Sequence, residues 1–198
     1  MTRFSALLDT CVLVPIVQAD TLLRLAEKGL YRPIWSARIM DELVSAIERV
    51  HPHLPPGAAS RRSAQMNRAF PDACVRAARS PIEDLVLPDD GDINVLEAAI
   101  RGRADVIVTD NLKDFPESAL APFDLEAQSA DEFLGNQLDL DPDATMIALA
   151  EQSAATRNPT MTVEAILTRI ARATAPQFAR AARSQLWRIA STPGNDAP

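Results

Sequence analysis

The sequence predicts an α/β fold: a three-layer α/β/α domain around a central parallel sheet, followed by a small all-α C-terminal segment. Three observations predict it. Short apolar runs alternate with helical patterns from Phe4 to Leu138, the order expected of β-α-β units. One run, Ala104–Val108 (ADVIV), is almost continuously apolar, as a parallel strand covered on both faces should be. Beyond Leu138 the strand-like runs stop and only helical patterns remain.

Phe4–Leu8 (FSALL) reads as a buried strand ending at Asp9. Val17–Lys28 places Leu22, Leu25 and Ala26 on one helix face, and Gly29 suits its C-terminal cap. Arg32–Trp35 (RPIW) is a short strand whose Pro33 cannot donate to a ladder. Ser36 is a natural N-cap for a helix carrying Ile39, Met40, Leu43, Val44 and Ile47, which should stop before His51-Pro52. Ala58–Phe70 and Pro71–Arg79 are helix-compatible, and Leu85–Leu87 reads as a strand before the turn cluster Pro88-Asp89-Asp90-Gly91. A strong helix runs from Asp92 to Gly102, the strand Ala104–Val108 follows, and Phe123–Ala127 and Ala130–Leu138 are a further strand and a closing helix. Asp139–Asp143 is an acidic, proline-containing joint leading to helices Ala144–Ala154, Val163–Ala173 and Pro176–Ala190. The expected organisation is a domain over 1–138, a helical extension over 139–190 and a disordered tail over 191–198.

Composition excludes several classes. With 198 residues, 47 % of them hydrophobic and 24 % charged, global disorder is not expected. No apolar run is long enough to span a bilayer, and Met1–Leu8 lacks a small-residue cleavage signal. Two cysteines cannot build a disulfide framework or a four-cysteine zinc site, so a reducing, cytoplasmic setting is expected. The net charge of −7 argues at first against nucleic acid, but its distribution is polarised. Arg61–Arg79 holds five arginines (Arg61, Arg62, Arg68, Arg76, Arg79) against Asp72, and Arg157–Arg188 holds six against Glu164. Such stretches suit phosphate contacts or an acidic partner, or are simply solvated helix faces.

The informative feature is where the acids fall. Asp9 ends the first strand, Glu42 lies in the helix after the second, Asp92 opens a helix after Leu85–Leu87, and Asp110, Asn111 and Asp114 follow Ala104–Val108. Right-handed crossovers bring the strand C-termini to one edge, where α/β sheets bind ligands. Carboxylates meeting there repel one another and raise their pKa values unless a cation offsets them. An all-oxygen donor set suits Mg²⁺ or Mn²⁺, and phosphodiester hydrolysis is the natural chemistry. Singly, each acid also has a structural reading as a turn former, cap or solvated residue.

Two segments carry a family resemblance. LLDTCVL (Leu7–Leu13) resembles the opening of PIN-domain ribonucleases, and LPDDGDINVLEAAIRGRADVIVTDNLKDFP (Leu87–Pro116) is similar to their second signature. The resemblance covers Met1–Leu138 and is nearest to VapC-type toxins of toxin–antitoxin pairs with an extra helical C-terminal segment. It implies an acidic core of Asp9, Glu42 and Asp92, with Asp9 and Asp92 as metal ligands. The post-strand acid of many PIN proteins aligns with Asn111, so Asp114 or Asp110 could complete the set. It further implies Mg²⁺ or Mn²⁺, an RNA substrate, a cognate antitoxin and a homodimer. The alternative is a non-catalytic PIN-fold module that binds protein, and a weaker one is a nuclease acting on DNA. A haloacid-dehalogenase-like phosphotransferase would need an acid where Cys11 stands, and a cysteine hydrolase would need a base, whereas His51 and His53 lie in a proline-rich loop.

Overall fold

The structure is a computed structural model that describes residues 4–75, 82, 85–157 and 159–190. In chain order the elements are β1 (Ser5–Leu8), α1 (Thr10–Leu13), α2 (Ile16–Glu27), β2 (Arg32–Ser36), α3 (Ala37–Val50), α4 (Ala58–Ala69) and β3 (Cys74–Val75). Then come α5 (Ile93–Gly102), β4 (Val106–Val108), α6 (Glu117–Leu120), β5 (Glu126–Gln128), α7 (Ala130–Leu140), α8 (Pro142–Ala155), α9 (Val163–Ala173), α10 (Pro176–Arg183) and α11 (Trp187–Ala190). They form two compact units, one of Met1–Ile16 with Tyr31–Ala130, the other of Val17–Leu30 with Asp131–Pro198.

The first unit holds a five-stranded parallel sheet in the order β3-β2-β1-β4-β5, flanked by helices. Hydrophobic burial drives it: β1 and β4 are buried along their whole length, the pattern of a sheet covered on both faces. Because every strand is parallel, Asp9 and Thr109 emerge at the same edge, and the Asp9 N–H donates to Val108 O at 3.1 Å. β2 tolerates its proline for a geometric reason. Arg32 N–H points to β1, donating to Phe4 O, and Trp35 N–H points to the other neighbour, donating to Ala73 O. Pro33 faces the side of Trp35 but precedes the stretch that β3 covers, so no ladder bond is lost.

Four expectations are corrected. Leu85–Leu87 forms no strand; Val86 is 78 % exposed and only Leu87 is buried, so the run has too little apolar face to add to the sheet. The position beside β2 is taken instead by the two-residue β3, where a helix was expected; Pro71–Ala73 is a turn, and the rest of that expected helix, with Arg76 and Arg79, lies outside the described residues. β5 begins at Glu126 rather than Phe123, because Ala121–Phe123 is a 3₁₀ turn and Asp124 has a left-handed φ of 53° that interrupts extended backbone. In the helical segment, Pro176–Ala190 is two helices separated at Ser184–Leu186. The expected tail 191–198 also lies outside the described residues.

Gly102 has a packing role. A Cβ there would meet Ile34 Cγ2 at 2.7 Å and Val75 Cγ2 at 3.0 Å, so only glycine lets α5 approach the sheet this closely. The left-handed residue that ends α5 is Arg103, with φ 53°.

The second unit is all-helical, apart from the turn after α2. Gly29, φ 83°, donates to Ala26 O and Leu30 N–H donates to Leu25 O, closing the end of α2. Its interior contains neutral polar groups that satisfy one another. Thr21 Oγ1 donates to Gln152 Oε1 at 2.6 Å, Gln152 Nε2 donates to Val17 O at 2.9 Å, and Thr174 Oγ1 donates to Gln18 Oε1 at 3.0 Å. Among the described residues, no helix is long and apolar enough to cross a membrane.

Candidate metal-binding acidic site

Asp9 is held firmly. It is only 8 % exposed, so its carboxylate depends on protein donors. Oδ1 accepts the Thr10 N–H at 2.6 Å as the cap of α1, and Oδ2 accepts from Thr109 Oγ1 at 2.7 Å and from the Cys11 thiol at 3.2 Å. Cys11 Sγ also accepts the Asp110 N–H at 3.3 Å. Burial first, then the charge of Asp9, pushes the Cys11 thiol up to about 12, so it stays protonated and acts as a donor. The side chains that follow β1 and β4 thus orient one carboxylate at the sheet edge.

Opposite it, three more carboxylates converge. One oxygen from each of Asp89, Asp92 and Asp114 lies within 4.8 Å of the others. Asp89 opens the 3₁₀ turn Asp90–Asp92, where its Oδ1 accepts the Gly91 N–H at 2.8 Å. Asp92 stands at the start of α5 yet makes no capping hydrogen bond, and its Oδ2 is buried without a hydrogen-bond partner. The structural role open to it, that of a helix cap, is therefore not the one it performs. Burial and then the charges of Asp9, Asp89, Asp114 and Glu42 push the Asp92 carboxyl up to about 6. Like charges around a buried, partnerless carboxylate oxygen are what a bound cation would relieve. The donors are all hard oxygens, so the cluster could hold a divalent cation of the Mg²⁺ or Mn²⁺ kind.

The remaining sequence candidates fall into place around this cluster. Asn111 Nδ2 donates to Asp114 Oδ2, and Asn111 N–H donates to Thr109 Oγ1 at 3.1 Å; Asn111 thus ties Asp114 to the residue that holds Asp9. Asp110 is used elsewhere: its Oδ1 accepts the Ala130 N–H at 3.2 Å, and it does not belong to the three-carboxylate cluster. Its Oδ2 is likewise buried without a partner. Glu42 lies on α3 at the periphery, paired with Arg38 at 2.9 Å, and adds the last of the charges that act on Asp92. Thr10 Oγ1 donates to Ile39 O at 3.3 Å, a structural tie to α3.

The sequence marks Asp89 only as part of a turn cluster. The signal that could have found it is its spacing: it stands three residues before Asp92, one helical turn away once the intervening residues coil. The first arginine stretch proves partly structural. Arg62 donates to the carbonyls of Leu13 and Val14 at the end of α1, and Arg61 donates to Pro56 O. His51 and His53 are exposed in their loop.

Comparison with known proteins agrees with this geometry. The PIN-domain family profile matches residues 5–113, and the profile of the VapC50 C-terminal domain matches residues 130–184. A relative named "Putative ribonuclease VapC50", from Mycobacterium tuberculosis, is 44 % identical over 92 residues, which are 46 % of this chain and 54 % of that protein. The matched stretch thus spans about half the length of the curated relative. No solved structure matches. The PIN profile covers more than half of the chain, including Asp9, Glu42, Asp89, Asp92 and Asn111, the chain's C-terminal segment is similar to that of VapC50 over residues 130–184, and the chain belongs to the PIN-domain family.

Proposed function

We propose that the chain is a Mg²⁺- or Mn²⁺-dependent endoribonuclease that hydrolyses RNA phosphodiester bonds, and that it is the toxin of a toxin–antitoxin pair. The observation that carries the first part is the buried Asp92 Oδ2, partnerless among converging carboxylates. The ribonuclease in the name of the VapC50 relative supports the choice of substrate, and the match to its C-terminal domain supports the toxin role. A cognate antitoxin and homodimerisation belong to the same reading.

Asp92, Asp89 and Asp114 would hold the cation beside Asp9. A divalent cation bound there supplies charge to a phosphoryl oxygen and acidifies a bound water. Asp9, fixed by Thr109, Cys11 and the Thr10 N–H, is aligned before substrate arrives, which lowers the reorganisation needed at the reacting centre. Asn111 holds Asp114 in place. Glu42, paired with Arg38 and among the charges that act on Asp92, would accept a proton from water. The catalytic set of this proposal is Asp9, Glu42, Asp92, Asn111 and Asp114, and Asp9 would join Asp92, Asp89 and Asp114 as a metal ligand.

The test is cleavage of a structured RNA and of a DNA of matched sequence by the full chain, with Mg²⁺, Mn²⁺ or EDTA, beside the Asp92→Asn variant. RNA cleavage that requires the cation and disappears in the variant is the expected result. Cleavage that persists in EDTA or in the variant contradicts the mechanism, and DNA cleavage of equal rate contradicts the substrate. Absence of both cleavage and metal binding would favour the non-catalytic module.

A further inference from the structure

We propose that the outward face of α9 and α10, in the helical unit, is a second RNA-contact surface, formed by Arg169, Arg172 and Arg180 and continued in the chain by the exposed Trp187 that opens α11. The proposal rests on the RNA-processing reading of the first unit and assigns the helical extension a role in holding the same class of ligand.

The argument begins with what the two helices bury. α9 buries Ile166, Leu167 and Ile170, and α10 buries Phe178, Ala179 and Ala182. At 3.6 residues per turn, Arg172 and Arg180 stand on the side of their helix opposite that stripe, and Arg169 flanks it. All three are exposed. Two acids of the same unit are already engaged. Glu164 pairs with Arg183 at 2.7 Å, a contact that joins the two helices, and both oxygens of Asp131 accept backbone N–H groups of Gln177 and Phe178 at the start of α10. Arg188 is likewise spent on Asp143 at 2.6 Å. Among the described residues, Arg169, Arg172 and Arg180 have no ion pair.

An unneutralised arginine group on an acidic protein of net charge −7 is a local feature that the total charge hides. Guanidinium groups match phosphate oxygens in fork geometry. The exposed aromatic seven residues after Arg180 favours nucleic acid over an acidic polypeptide. Trp187 is 59 % exposed, and the Arg188 guanidinium lies 4.5 Å from its ring centroid, a stacked pair of the kind on which an unpaired base can extend the stack. Single-stranded RNA offers both phosphates and bare base faces.

The test uses the full chain in EDTA, a fluorescein-labelled single-stranded RNA of mixed sequence, and anisotropy measured over a range of salt. Replacing Arg169, Arg172 and Arg180 together by Gln should weaken binding at least tenfold at low salt and lower the slope of log K against log[salt] by about 2, the loss of three phosphate contacts on a single strand. A charge-matched triple variant outside both arginine-rich stretches, Lys28→Gln with Arg49→Gln and Arg103→Gln, all three exposed, should bind as the wild type does. The tryptophans provide a second readout, because Trp35 is fully buried and Trp187 is not; RNA should quench the Trp187 emission. Equal affinity and slope in the α9–α10 triple variant overturn the proposal, as does equal weakening by the charge-matched control or saturable binding without quenching. Polyglutamate that displaces RNA mole for mole would reassign the surface to an acidic protein. Cleavage by the wild type, measured separately with metal, keeps the two readings apart: patch-dependent binding without cleavage refutes the nuclease and leaves this surface standing.

Discussion

The two units treat buried polar groups in opposite ways. At the sheet edge of the first, carboxylates of one sign converge on Asp92, whose inner oxygen lacks a partner. In the helical unit the buried polar groups are neutral amides and hydroxyls, and Thr21, Gln152, Gln18 and Thr174 pair off with one another. The helical unit does leave one amide oxygen, on Gln137, without a partner, but a neutral orphan costs far less than a charged one. The comparison teaches where each unit keeps its unspent free energy. The helical interior is organised for stability. The sheet edge is destabilised in the absence of a cation, and that deficit is what a ligand can recover.

The largest expected effect separates the two units by function. Asp92→Asn should lower RNA cleavage by about a hundredfold or more, the scale of losing a main electrostatic contributor at a reacting centre, while circular dichroism and the melting profile show an intact fold. Asp92→Asn that cleaves normally would remove the sheet edge from the mechanism. The converse experiment is Gln152→Leu, which removes two buried hydrogen bonds, one with Thr21 Oγ1 and one with Val17 O, and leaves that hydroxyl and that carbonyl only their mutual bond at 3.1 Å. It should cost about 1–3 kcal/mol of stability in denaturant unfolding and leave cation binding at the acidic edge unchanged. If cation affinity falls with stability, the two polar systems are coupled and the contrast fails.

A smaller effect appears in the pH dependence of stability without metal. The Asp92 carboxyl, pushed up to about 6, binds its proton more tightly in the folded chain than in the unfolded one, whose value is about 3.9. The native state therefore carries the extra proton between these values, so the Asp92 contribution becomes destabilising as pH rises from about 4 to about 6 and stays so above. Asp92→Asn abolishes the penalty. The melting temperature of Asp92→Asn minus that of the wild type should thus be near zero at the acid end, grow through this window and level off near neutrality, and saturating Mg²⁺ should shrink it. A difference that does not change with pH would show that repulsion at Asp92 is not the cause. The smallest effect is expected at Asn111→Ala, which releases Asp114 without removing a charge; metal affinity should drop several-fold, with the melting temperature nearly unchanged. A loss as large as that of Asp92→Asn would make Asn111 a ligand.

Much of this contrast was legible in the sequence, for a physical reason. Strands buried on both faces announce themselves, as Ala104–Val108 does, and an acid directly after such a run must emerge at the sheet edge, which locates Asp9; Asp92 follows no strand, since Leu85–Leu87 does not form one, and only its place at the head of a strongly apolar helix marks it in the sequence. What was hidden depended on contacts far apart in sequence or on short elements. β3 is two residues long and is defined by pairing with β2, with the Trp35 N–H on Ala73 O, a pattern no local propensity encodes. Asp89 looks like one more turn residue until the 3₁₀ turn carries it beside Asp92. The grouping of α2 with the C-terminal helices rests on pairs such as Thr21 with Gln152, 131 positions apart. Asp110 and Asn111 could not be told apart from neighbouring loop acids and amides until their hydrogen bonds showed one turned to Ala130 and the other to Asp114.

The central claim is that the carboxylates around Asp92 form a divalent-cation site. Titration of the full chain with Mn²⁺, followed by calorimetry and by the loss of the free-Mn²⁺ spin-resonance signal, tests it most directly. The account predicts saturable binding that Mg²⁺ displaces, that weakens as pH falls below about 6, and that Asp92→Asn removes. Mn²⁺ uptake that is absent from the wild type, or that survives unchanged in Asp92→Asn, would contradict it.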